Sequence, residues 1–237
     1  MRRTSVYYSH SRITPGAWGE PPLTILDIVR LTAVRVGAAF VVILGAGIGA
    51  GWLLLQYDEG LGFREEADRI AEVLQLRPGL IVADVRAGSG GWTVDMAKRV
   101  GQSGRIFATV SPNNPAHEIF QALAEAEIDN VNVIGRTPGP SQRLPLDCCD
   151  AILLRGVYHD FPDRETIARG LVENLKPGGR MAVIDFGEGT PEQLSGHGLA
   201  QETLIAEMET AGFAVEQVID DWFGNAYCIL FRRPVER

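Results

Sequence analysis

The sequence predicts an α/β fold, a mostly parallel sheet with helices on both faces, preceded by one N-terminal transmembrane helix. Three observations point there. From Arg64 onward, segments with apolar residues at helical spacing alternate with short runs that read as buried strands, and such alternation requires crossovers that cover both faces of a sheet. A glycine-rich turn, VADVRAGSGGW over 82–92, follows the first of those strands. The run from Val36 to Leu55 is uncharged, apolar throughout and about as long as a bilayer core requires.

By pattern the chain divides into an irregular arm over 1–22, an interfacial and transmembrane segment over 23–56, and a globular domain over 57–237. RITPGAWGEPP in the arm has no apolar period. LTILDIVRLTAVRV then places Asp27, Arg30 and Arg35 at helical intervals among apolar residues, the pattern of a helix lying at a membrane interface. In the apolar run, glycines at 45, 47, 49 and 51 imitate a dinucleotide loop. Such a loop, however, opens an amphipathic helix inside a βαβ unit, and none surrounds these. Gly45/Gly49 and Gly47/Gly51 are instead small-xxx-small pairs that let another helix approach closely in lipid. The expected partners are therefore the membrane and transmembrane helices of other membrane subunits. A cleaved signal peptide fits less well, because a long polar stretch precedes the apolar core and no small-residue cleavage site follows it. Arg2, Arg3, Arg12, Arg30 and Arg35 precede the span, against Arg64 and Arg69 after it. The positive-inside rule then predicts a single-pass inner-membrane protein with a cytoplasmic N-terminus and a periplasmic globular domain.

Within the domain, REEADRIAEVLQL reads as a helix, LIVADV as a buried strand, WTVDMAKRV as a helix and RIFATV as a strand. AHEIFQALAEAEI continues as a helix, VNVIG and DAILLR as strands, RETIARGLVENL as a helix, RMAVIDF as a strand and QETLIAEMETAGF as a helix; AVEQVI and AYCILFRR close the series as strands. Ligands of such sheets sit beyond the carboxyl ends of the strands, here the turns after Asp84, Val110 and Arg155. A formal net charge of −8 offers no clustered cationic surface for phosphates, so nucleic acid is excluded as a partner. Cys148, Cys149 and Cys228 match neither a zinc spacing nor a disulfide framework and read as small core filler. No set of His, Cys and acids shows ligand spacing, so no metal is expected.

LRPGLIVADVRAGSGGWT, GRIFATVSP, LPLDCCDAILLRGVYHDF, LKPGGRMAVIDF and EMETAGF, in this order and spacing, resemble the class I S-adenosylmethionine-dependent methyltransferases over about residues 64–234. The resemblance implies a seven-stranded Rossmann-like methyltransferase fold whose last strand runs antiparallel. The YH after strand four, the GHG around His197 and the DDW and YC near the end resemble a narrower group of bacterial exported or membrane-anchored methyltransferase-like proteins.

The resemblance also implies S-adenosylmethionine as cofactor and names the positions that would hold it. Asp84, Gly88 and Gly90 match the acid-x-Gly-x-Gly-x-Gly turn, while Arg86 replaces the first glycine. If the turn demands a positive φ there, a non-glycine residue costs about 1–2 kcal/mol. Val110 stands where the family places an acid for the ribose hydroxyls, and losing hydrogen bonds to a charged acceptor forfeits roughly 1.5–3 kcal/mol. Arg136 stands where an acceptor for the adenine amino group is common. Arg155, at the end of strand four, completes the candidate cofactor positions. His159 and Asp160 follow, where the family shapes its acceptor pocket; His159 is the candidate general base and Asp160 its orienter. The competing reading is that Asp160 or Asp163 caps the next helix and His159 is an ordinary polar residue. His197, Asp220, Asp221 and Trp222 are further rim candidates, against the alternative of solvated surface.

The first two departures together forfeit about 2.5–5 kcal/mol, two or more decades in affinity, although terms within one site need not add. The leading expectation is a membrane-anchored methyltransferase-like pseudoenzyme, degenerate in cofactor binding, acting as an accessory or scaffold subunit of a membrane complex. The alternative is an active S-adenosylmethionine-dependent small-molecule methyltransferase tethered to the membrane, its domain then in the cytoplasm. In a third reading, Arg86 beside a helix N-terminus receives an unrelated anion.

Overall fold

The computed structural model describes residues 62–111, 116–135, 144–187 and 197–235. The N-terminal arm, the interfacial segment, the expected transmembrane helix and Arg136 lie outside the described residues. Among those described, no helix is long and apolar enough to cross a membrane.

A helix over 62–73, α1, leads into β1 (Ile81–Val85), α2 (Gly91–Val100), β2 (Arg105–Thr109), α3 (His117–Glu125) and β3 (Val131–Ile134). The chain continues through β4 (Cys149–Arg155), α4 (Arg164–Asn174), β5 (Leu175–Phe186), α5 (Gln201–Ala211), β6 (Ala214–Ile219) and β7 (Ala226–Arg232). The strands form one seven-stranded sheet in the order β3-β2-β1-β4-β5-β7-β6. β1 pairs in parallel with β2 and β4, and β2 with β3 and β4 with β5 likewise. β7 inserts antiparallel between β5 and β6. The chain order reverses between β1 and β4, which puts the switch point beside the glycine turn.

The unbroken apolar runs of the strands follow from burial on both faces. Successive side chains point to opposite sides of the sheet. Val82, Leu153 and Ile184 therefore pack with Ile70 of α1, Leu74 in the turn just after it, and Met96 and Val100 of α2. Their neighbours Val85, Ile152 and Val183 pack with Ile167 and Leu171 of α4 and Leu204 and Met208 of α5. Asp163 caps α4 by accepting a hydrogen bond from the Thr166 N–H at 3.1 Å, and Gly212, at φ +110°, ends α5.

Two local features depart from the sequence expectation. β5 begins at Leu175 and thus takes in LKPGG; its register with β4 jumps from Cys149↔Leu175 to Ala151↔Arg180, so residues 176–179 bulge out of the ladder. Cys148 and Cys149 are joined by a vicinal disulfide at the start of β4. That corrects the reading of this pair as free core filler: spacing rules are blind to adjacent cysteines. Cys228 does fill the core, as a buried free thiol pushed up to about 12 by that burial.

Candidate functional site: the carboxyl ends of β1, β4 and β5

Asp84, one residue before the end of β1, is only 4% exposed, and Thr93 Oγ1, in the first turn of α2, donates to its carboxylate at 2.5 Å. Burial pushes its carboxyl up to about 6, against the lowering effect of the Thr93 hydroxyl. Two residues on, Arg86 has φ +58°, so the turn does hold this non-glycine residue in the left-handed conformation. The Thr109 hydroxyl accepts its backbone N–H at 2.9 Å and the Thr109 carbonyl accepts that of Ala87 at 2.8 Å, so the end of β2 holds the turn in shape.

The glycines that follow differ in what they are for. Gly90 has φ +91°, and a Cβ there would lie 2.8 Å from Ile119 Cγ1 and 3.2 Å from its Cα; Gly88 has φ +56° with open space where its Cβ would be. Close approach of α3 therefore demands Gly90. Gly88 is the one that leaves the mouth of the cleft open.

The Arg86 side chain crosses toward the loop after β4. Its guanidinium carbon lies 3.9 Å from the centroid of the Phe161 ring, and Nη1 lies 3.9 Å from Asp160 Oδ2. Nε is buried without a hydrogen-bond partner among the described residues. Burial lowers the pKa of this guanidinium, with Asp160 acting the other way. Val110 is partly buried against the small cluster of Ala87, Ala108, Ile119 and Leu123, and its side chain has no acceptor to offer.

Arg155, by contrast, is fully engaged elsewhere. Its Nε and Nη2 donate to Glu66 Oε1 and Oε2 of α1 at 2.8 and 2.7 Å, and its guanidinium stacks on Trp92 at 4.6 Å. Trp222 Nε1 donates to the same Glu66 at 2.9 Å, so Trp222 belongs to this buried cluster, which ties α1 to β4. Asp220 accepts from Gln201 at 3.1 Å, and Asp221 lies exposed beside Arg69. Neither joins the group around Arg86 through a contact among the described residues.

His159 is the focus of that group. Its Nδ1 lies 2.7 Å from Asp185 Oδ1, and its backbone N–H donates to Asp185 Oδ2 at 3.3 Å. Asp185 is fully buried and the imidazole side chain is only 5% exposed. Since a carboxylate only accepts, this contact places a proton on Nδ1 and directs Nε2 outward. Nε2 faces Asp160 Oδ1 at 3.3 Å, and the His197 ring stands edge-on with centroids 5.9 Å apart. The Asp185 hydrogen bond, reinforced by the charges of Asp185 and Asp160, raises the His159 pKa above its ordinary value, against the opposing effect of burial.

The structure thus brings Arg86, Asp160, His159 and His197 together, and Asp163 rather than Asp160 does the capping. Two residues escaped the sequence reading. Asp185 ends an apolar strand, where a lone acid is a usable signal; Glu66 sits in a charged helix start, where nothing distinguishes it.

Residues 63–197 match the ubiE/COQ5 methyltransferase family. Over 116 residues the chain is 27% identical to a demethylmenaquinone methyltransferase of Listeria monocytogenes, with 48% of each chain covered. Over 109 residues it is 28% identical to the demethylmenaquinone methyltransferase of Lactococcus lactis, covering 45% of this chain and 42% of that one. The chain therefore spans about half the length of the curated relatives it matches. A SAM-dependent methyltransferase from Aquifex aeolicus shares the fold, with a TM-score of 0.63 at 19% identity over 70% of this chain and 89% of the other. With the glycine turn, the strand order and the antiparallel β7 in place, the chain belongs to the ubiE/COQ5 methyltransferase family of class I S-adenosylmethionine-dependent methyltransferases.

Proposed function

We propose that this chain is a membrane-anchored member of the family whose cofactor cleft has been rebuilt around Arg86, and that it serves as an accessory subunit of a membrane complex. The observation that carries the reading is the guanidinium placed over Phe161 at the mouth of the glycine turn. The family's methyl donor is a sulfonium cation. Two unit positive charges about 5 Å apart repel by on the order of 3 kcal/mol at an effective dielectric near 20. Asp160, 3.9 Å from the guanidinium, offsets part of this. Val110 adds the loss of the ribose acceptor, so the residues at the cleft do not fit the donor as the family holds it. The anchor is the apolar run 36–55 with its paired glycines, and the cationic flank before it favours a periplasmic domain.

Calorimetric titration of the full chain in mild detergent with S-adenosylmethionine tests this directly: the reading expects no binding in the micromolar range, and micromolar affinity would contradict it. Purification under the same conditions should retain other membrane subunits.

One observation favours the second reading, an active methyltransferase acting on a small molecule from the cytoplasmic side. His159, backed by Asp185 at 2.7 Å, has the arrangement of a general base, with Nε2 on the side of Asp160, where it would take an acceptor's proton. Gly88, with open space around it, would then bound the donor's pocket. Methylation of an added quinol or phenol by the purified chain would establish this alternative.

A further inference from the structure

We propose that His159 Nε2, the Asp160 carboxylate and a ring nitrogen of His197 form a binding site for a divalent transition-metal ion of the Zn2+ class at the carboxyl end of β4. The donor atoms of these three residues all lie within 4.8 Å of one another. Around a tetrahedral ion with ligand distances of about 2.0–2.1 Å, neighbouring donors are about 3.4 Å apart. The edge from His159 Nε2 to Asp160 Oδ1 is 3.3 Å and so already has that length. The remaining edges are no longer than 4.8 Å, and they run to His197, which with Asp160 is exposed, so closing them asks movement only of surface side chains.

A second, independent observation points the same way. His159 is fixed by a buried carboxylate on its other nitrogen, Asp185 Oδ1 at 2.7 Å, with the backbone N–H of His159 on Oδ2. Histidines that ligate metals characteristically give their second N–H to a carboxylate, which sets the tautomer, orients the ring and raises its basicity as a ligand. Here the side chain is 95% out of solvent, against an acid that is wholly so. The outward nitrogen is thus held ready before any ion arrives. Arg86 approaches the other oxygen of Asp160, Nη1 to Oδ2 at 3.9 Å, whereas His159 faces Oδ1; its charge opposes an ion here, as it does the sulfonium, and the carboxylates of Asp160 and Asp185 and direct ligation by two imidazoles are what offset it.

The donor set selects the ion. Two imidazoles and one carboxylate suit Zn2+, Co2+ or Ni2+, while Mg2+ and Ca2+ require shells made almost wholly of oxygen. Three protein ligands leave a fourth position for water or for an oxygen donor of a small molecule. This inference does not depend on whether the cleft binds the methyl donor, and its test involves none.

Chelator-treated full chain titrated with Co2+, followed by its visible d–d absorption, should show saturable binding of one ion per chain with the bands of four- or five-coordinate Co2+. Zn2+ should displace it and Mg2+ should not. His159→Ala, Asp160→Ala and His197→Ala should each weaken binding by about tenfold or more, and Asp185→Asn by about 10–100-fold through the orientation of His159. His117→Ala, on α3, serves as the control and should change nothing. Absence of saturable binding, or binding indifferent to both His159→Ala and His197→Ala, would overturn the proposal; the exposed position of His197 keeps that variant informative even if Asp185→Asn fails to fold.

Discussion

At the scale of single residues, the site is made of groups held in costly states by their neighbours. Asp84 is the clearest. A carboxyl raised to about 6 in the fold, against 3.8 as its ordinary value, binds its proton more tightly folded than unfolded. The stability it contributes is therefore complete below about pH 4 and is lost as pH rises through 6. At about 1.4 kcal/mol per unit the loss is roughly 3 kcal/mol. Asp84→Asn keeps an acceptor for the Thr93 hydroxyl and removes the charge. In urea denaturation the variant should match the wild type near pH 4 and exceed it by roughly 2–3 kcal/mol at pH 8; a gain independent of pH would show that burial is not the cause. Arg86 is the second case. Its left-handed backbone costs about 1–2 kcal/mol, and its stacking on Phe161 returns about 0.5–2 kcal/mol, so Arg86→Gly should leave stability nearly unchanged while freeing the turn.

Among the secondary-structure elements, the glycine turn divides into a part required by packing and a part that leaves the cleft open. Gly90→Ala would drive a methyl to 2.8 Å from Ile119 of α3 in a left-handed conformation, a combination of strain and overpacking worth roughly 2–4 kcal/mol. Gly88→Ala meets open space and should cost only about 1–2 kcal/mol for its φ. Thermal unfolding of the two variants checks the ordering; equal losses would mean that α3 does not approach the turn so closely. The same elements show what a sequence can display. Strands buried on both faces, helices with apolar stripes and the reversal at the glycine turn are periodic or local, and were legible. Asp185 lies 26 positions from His159, and His197 lies 38 from it. The parallel pairing of β4 with β5 brings Asp185 to the loop that holds His159, and no local pattern encodes that. The ion pair of Arg155 is equally illegible in the sequence, since Glu66 reaches it from α1, 89 positions away.

For the whole molecule, the question is what a methyltransferase fold does when its mouth carries a cation. The buried clusters on both faces of the sheet include none of Arg86, His159 and Asp160, so the fold does not depend on what the cleft binds. The two proposed functions differ in the side of the membrane on which the domain would lie. Fusing a reporter active only in the periplasm to the C-terminus should give signal if the domain is periplasmic; signal only from a cytoplasmic reporter would favour the enzyme reading.

The most direct measurement compares S-adenosylmethionine and its demethylated product, a neutral thioether, as ligands of the wild type and of Arg86→Gly with Val110→Asp. If the guanidinium and the lost acceptor are what exclude the donor, the wild type should bind the product less weakly than the donor. The double variant should gain about a hundredfold for the donor, since about 2.7 kcal/mol corresponds to that factor. Micromolar binding of the donor to the wild type, unchanged in the double variant, would contradict the account.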